Sequence, residues 1–133
     1  MREWGSHWFM RTLAMVVAPV LAGASYLLLI PWDLRNRPEH PGELIETTPV
    51  RTWAVIVFVL VLLVLGAWLG RAGVPPWQAV PLVAGVPSAL LLASYLTHHA
   101  PDANPWPLAW VCFTLLMAGA ALLAAFAGRV SAR

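Results

Sequence analysis

A chain of 133 residues that is 60% hydrophobic and only 11% charged carries too much apolar surface for a water-soluble domain of its size. Soluble domains average about a quarter charged residues, and small ones leave much of their surface in contact with solvent, so lipid must take up the excess. The net charge of +2 comes from arginines at the ends of the apolar runs, with no lysine anywhere, which excludes the basic stripe of a nucleic-acid-binding protein.

Four stretches are long and apolar enough to cross a bilayer, which takes about 20 helical residues. The first covers about residues 8–30 and contains one charge, Arg11, in its first turns, where a long side chain can snorkel to the headgroups. Ala22-Gly23-Ala24 would suit a leader cleavage site, but the run continues apolar through Leu27 to Ile30, so it is read as a retained span. A connection over residues 31–52 follows, with Pro31, Pro38, Pro41 and Pro49, and these prolines predict an extended or turn-rich external loop. The second span covers 53–70 and ends in a tight turn at Gly73. The third covers 77–97, with Pro81 and Pro87 inside it, and the fourth covers 106–128. Pro87 removes an interior hydrogen bond and predicts a bend, with Ser88 or a neighbouring helix compensating. The single cysteine, Cys112, excludes an intramolecular disulfide.

The tryptophans support this frame independently. Trp8 and Trp32 bracket the first span, Trp53 and Trp68 the second, Trp77 opens the third, and Trp106 and Trp110 open the fourth. Indoles prefer the membrane interface, so this spacing is an aromatic belt. The predicted architecture is all-α: a polytopic, single-domain, up-down bundle of four transmembrane helices. Orientation follows from the arginines. With both termini inside, the cytoplasmic side holds Arg2, Arg11, Arg71, Arg129 and Arg133 against Arg35, Arg37 and Arg51 outside, which favours cytoplasmic termini in the plasma membrane.

Two short matches suggest an internal repeat. Ala24-Ser25-Tyr26-Leu27 answers Ala93-Ser94-Tyr95-Leu96, and Ala67-Trp68-Leu69-Gly70-Arg71 answers Ala125-Phe126-Ala127-Gly128-Arg129. A true repeat would relate two parallel hairpins by an axis along the membrane normal, whereas chance similarity between Ala- and Leu-rich helices would carry no such meaning. In the first case Ser25, Tyr26, Ser94 and Tyr95 lie at matching depth and become candidate substrate-binding residues.

Small residues recur at helix-contact spacing: Gly66 with Gly70; Ala14, Ala18 and Ala22; Gly85, Ala89 and Ala93; Ala120 and Ala124. Such stripes let backbones approach where lipid removes the hydrophobic drive, either inside the bundle or against a partner. His40, His98, His99 and Asp102 form the one cluster resembling metal ligands, although adjacent histidines in a turn are not a diagnostic spacing. Solvated interfacial histidines are the plainer reading. No Asp, Glu, Lys or His falls at membrane depth, which argues against proton-coupled transport. No nucleotide loop, hydrolase triad or metalloprotease helix occurs, and no cofactor is expected.

These features point first to a non-enzymatic accessory or structural subunit of a larger membrane complex, with other membrane subunits or a second copy as partners besides the bilayer. A second reading is a small transporter, channel or lipid-binding protein for an uncharged or amphipathic substrate. A third is a metal-dependent activity at the external face.

Overall fold

The computed structural model describes residues 2–98 and 105–133, with the backbone alone for residues 2–4. Its elements, in order, are α1 (Arg2–Leu29), β1 (Arg37–Pro38), β2 (Glu46–Thr47), α2 (Thr52–Arg71), α3 (Pro76–Thr97) and α4 (Trp106–Ser131). All four helices are long and apolar enough to cross a membrane. The chain is a multi-pass membrane protein built as a four-helix bundle. One end of the bundle carries both chain termini and the α2–α3 turn; the other carries the long loop.

The helices overrun the spans read from hydropathy. Helix α1 begins at Arg2 rather than near residue 8, and α4 runs on to Ser131. The extra turns are polar, so hydropathy marks where the apolar slab ends and not where helical hydrogen bonding ends. Proline does not interrupt the helices either: Pro19 lies inside α1, and Pro81 and Pro87 lie inside α3. The loop, expected to be extended or turn-rich, also holds a two-residue antiparallel ladder that pairs Arg37 with Thr47 and Pro38 with Glu46.

The α2–α3 connection shows how local chemistry stops a helix. Gly73 takes a φ of +79°, open to glycine without cost. Its amide donates to the Gly70 carbonyl at 3.1 Å, and the Val74 amide reaches back to Leu69 at 3.0 Å. This is the Schellman pattern, and its usual apolar contact is supplied by Leu69 and Val74, both fully buried. Pro75 and Pro76 then start α3, where a missing N–H costs nothing.

Helix α1 packs on α2 and α3, and α4 packs on the same two, while α1 and α4 do not touch. Around the bundle the order is therefore α1, α2, α4, α3, with α2 and α3 also meeting across the short diagonal. A two-fold axis along the membrane normal that exchanged the hairpins would set α1 across from α3 and α2 across from α4. Each helix instead lies beside its counterpart, so that axis does not arrange the bundle.

The similar motifs at the ends of α2 and α4 nevertheless meet. A β-carbon on Gly70 would lie 2.0 Å from the Ala125 carbonyl oxygen, and one on Gly128 would lie 2.1 Å from that of Ala67. At Gly66 the nearest atoms, the Ala121 oxygen and the Ala124 β-carbon, are at 3.0 Å. Gly66 and Gly70 are thus where these two parallel helices touch backbone to backbone. Ala14, Ala18 and Ala22 are all fully buried on the inner stripe of α1, and Gly23 abuts Val86 of α3. The third stripe differs: Gly85 and Ala89 face outward, with nothing within 4 Å of a β-carbon at Gly85.

Candidate functional site

Polar groups inside the bundle gather toward its loop end. On α3, Ser88 shares a hydrogen bond of 2.8 Å with Thr114 of α4, and the Trp110 indole donates to the Ser88 carbonyl at 3.0 Å. These bonds lie one residue beyond Pro87 and tie the proline-containing stretch of α3 to α4. Neither bond reaches the Val83 carbonyl, the acceptor that Pro87 leaves without its helical partner. Closer to the loop, Ser94 is buried and its hydroxyl donates to the Trp32 carbonyl, which fastens the start of the loop to α3.

Tyr26 lies in this region at 3% exposure, edge-on to Phe58 of α2, with ring centroids 5.7 Å apart. Its hydroxyl has no hydrogen-bond partner among the described residues. That is costly in an apolar interior, where an unpaired hydroxyl forfeits about 1–3 kcal/mol. Tyr95, near the loop end of α3, has its ring 6.2 Å from that of Trp106 at the start of α4. Tyr26, Ser94 and Tyr95 therefore share one end of the bundle.

Ser25 goes elsewhere. Its hydroxyl donates to the Ala22 carbonyl at 2.9 Å, and it lines an apolar groove of about 500 Å³ between α1 and α2. One residue along a helix turns the side chain by roughly 100°, so Ser25 and Tyr26 serve different faces. Sequence reasoning missed Phe58, Thr114 and the Trp32 carbonyl. The isolated hydroxyls of Ser88 and Thr114 in otherwise apolar spans were a usable signal, because such groups seek each other in lipid. A backbone carbonyl such as that of Trp32 gives none.

The long loop between α1 and α2 is organised by charge. Arg35 grips the Asp33 carboxylate through two bonds of 2.9 and 2.7 Å, and Arg37 contacts the same carboxylate. The Arg35 hydrogen bonds hold the Asp33 carboxyl well below the usual carboxylate range, and in return raise the Arg35 guanidinium. Beyond this clasp the chain leaves Leu44 and Ile45 fully or mostly exposed, at 100% and 77%.

The histidines remain apart where they can be followed. His40 lies 3.5 Å from Glu43, and His98 bonds Thr97 at 3.0 Å. His99 and Asp102 lie outside the described residues. Among the described residues no three His, Cys, Asp or Glu side chains come together as a metal site would require. Cys112 is exposed on α4.

At the terminal end, a cavity of about 340 Å³ is lined by His7, Met10, Trp68, Arg71, Ala72 and Gly73. Arg11 reaches Gln78 at 3.5 Å and Arg71 reaches Ser131 at 3.4 Å, both long contacts. Neither arginine has a carboxylate partner among the described residues.

No family model matches the chain, and no curated protein or solved structure is similar to it.

Proposed function

We propose that the protein is a non-enzymatic subunit of a larger membrane assembly, in the plasma membrane with both termini cytoplasmic. The observation that carries this reading is the pair Leu44 and Ile45. They sit on a charge-clasped arm outside the membrane, exposed at 100% and 77%, with little cover from the described residues of their own chain. Covering two such side chains is favourable by about 1.5–3 kcal/mol each. An arm ordered by Asp33, Arg35 and Arg37 presents them at little further entropic cost. The outward stripe of Gly85 and Ala89 is consistent with a partner helix in the membrane, since the glycine pair of α2 and the alanine stripe of α1 already pack inside the bundle. The arginine distribution, five toward the termini against three toward the loop, supports the orientation.

The test is co-purification of the tagged chain from its own membranes in mild detergent, with and without Leu44→Ser and Ile45→Ser. Both side chains are exposed, so the double variant should fold normally and lose its partner. A clean monomer with no partner in the unaltered protein, or a partner retained by the variant, refutes the reading.

The buried, unpaired Tyr26 hydroxyl favours a second reading, a transporter, channel or lipid-binding protein for an uncharged or amphipathic substrate. In it Tyr26, Ser94 and Tyr95 receive a polar group of the substrate, and Ser25 contributes from the neighbouring groove. Binding or uptake that survives Tyr26→Phe with Tyr95→Phe would rule out that site.

A further inference from the structure

The cavity at the terminal end and the apolar groove higher up are two parts of one seam. On α1 the cavity uses His7 and Met10, and the groove uses Leu21, Ala24 and Leu28. These positions follow alternating steps of three and four, with the buried Ala14 and the half-buried Val17 closing the seam between the two openings. On α2 the same spacing joins Arg71 and Trp68 to Val64, Val61 and Val57. A polar pocket at the membrane edge and a hydrocarbon-lined groove open to the bilayer thus follow one another along the α1–α2 seam.

The pocket selects for negative charge. Five of the eight arginines belong to this end, and the acidic side chains of the chain other than Glu3 all lie in the two connections at the opposite end. Among the described residues Arg71 makes one side-chain hydrogen bond, the 3.4 Å contact to Ser131. Backbone amides cannot hold an anion here, because the turn already uses them. Ala72 donates to Trp68 at 2.9 Å, Gly73 to Gly70 at 3.1 Å and Val74 to Leu69 at 3.0 Å. Recognition therefore falls to the Arg71 guanidinium and the His7 imidazole, with the Trp68 ring as the apolar wall. Guanidinium matches the geometry of a phosphate oxygen pair, and indole suits the interfacial depth.

We propose that this seam is a binding site for one anionic phospholipid of the leaflet at the terminal end, its headgroup phosphate on Arg71 and His7 and an acyl chain along the groove. The dimensions agree. Val64 lies seven residues from Arg71, or about 10 Å, and Val57 about 21 Å, so a chain descending from the pocket enters the groove before the midplane of a core about 30 Å thick. The source of the phosphate is a lipid and not a soluble anion, because the groove is useful only to a ligand with a tail.

The full chain in nanodiscs of phosphatidylcholine, with phosphatidylglycerol added stepwise, provides the test by native mass spectrometry of retained lipid. The unaltered protein should retain one phosphatidylglycerol in preference to phosphatidylcholine. Arg71→Gln should lower that preference about fivefold, the loss expected for one arginine near a charged surface. Leu21→Trp with Val57→Trp, which fills the groove from both sides, should lower retention while leaving the charge unchanged. Arg129→Gln, on α4 outside the seam, should change it little. Equal losses from Arg71→Gln and Arg129→Gln would mean a diffuse basic rim and overturn the site. Displacement by millimolar inorganic phosphate, or full retention in the groove-filled variant, would overturn the lipid as ligand.

Discussion

The close contact of α2 and α4 makes Gly70→Ala the sharpest structural test. The added β-carbon would lie 2.0 Å from the Ala125 carbonyl oxygen, 2.8 Å from its carbon and 3.0 Å from its α-carbon. All three are backbone atoms of a rigid helix, so no rotamer change relieves the clash. The helices must separate locally by about 1.4 Å, from 2.0 Å to the 3.4 Å at which ordinary contact begins. Overpacking of this kind costs about 1–3 kcal/mol. Better helix propensity of alanine returns at most about 1 kcal/mol. A net loss of about 1–2 kcal/mol follows for Gly70→Ala, and the same for Gly128→Ala. Gly85→Ala, with open space around it, should be neutral or slightly stabilising. Reversible unfolding in mixed micelles, followed by circular dichroism, measures all three. Because the obstacle at Gly70 is backbone, Ala125→Gly should not rescue it. At Gly66 half the obstacle is the Ala124 β-carbon, so Ala124→Gly should relieve Gly66→Ala in part. If Gly70→Ala proves as stable as Gly85→Ala, the backbone contact between α2 and α4 is wrong.

The Ser88–Thr114 bond predicts a coupling energy of about 0.6–1.7 kcal/mol in a double-mutant cycle of Ser88→Ala with Thr114→Val, and additive losses would show that the hydroxyls do not meet. Tyr26→Phe removes an unpaired hydroxyl and should raise stability by up to about 1 kcal/mol in the empty protein; a clear loss would show that a bound water or ligand satisfies it. Asp33 has its carboxyl lowered by Arg35, so the order it gives the loop is present above the usual carboxylate pKa and is lost only as pH falls through its own, lower value. Carbon-detected NMR of the Asp33 carboxyl should therefore show it ionised throughout pH 4–8 with a midpoint below about 3.9, and an ordinary midpoint would mean that the clasp with Arg35 does not form.

The spans were legible because lipid imposes a simple rule, about 20 apolar residues with polar punctuation, and the tryptophans repeat the message at the interfaces. The stop at Gly73 was legible for the same reason: glycine and two prolines in succession leave α2 no continuation. What hydropathy could not supply was the order of helices around the bundle. A lipid-facing leucine and a buried one look alike in sequence, so the adjacency of α2 and α4 had to come from packing. Gly66 and Gly70 announced a close contact but not its partner, and the partner proved to be the sequence-similar end of α4. Among the candidate site residues, Ser25 and Tyr26 were grouped by their shared tetrapeptide, although adjacent residues of a helix face different ways. Phe58 could be placed beside Tyr26 only once α1 and α2 were docked.

What divides the surface of this bundle is which of its small-residue stripes are already filled. Ala14, Ala18 and Ala22 are buried within the chain, and Gly66, Gly70 and Gly128 meet backbone across α2 and α4, so none can serve a partner without dismantling the bundle. Gly85 and Ala89 are on the outer face of α3, where glycine brings no packing to the fold. A lipid tail gains little from a glycine, whereas a second helix gains a closer approach. Bulky substitution at Gly85 should therefore leave unfolding unchanged and weaken association, while substitution at Gly70 should do the reverse in order of effect, disturbing the fold first. Equal disturbance of the fold by Gly70→Leu and Gly85→Leu would show that the outward stripe also belongs to the bundle and is not open to a partner helix.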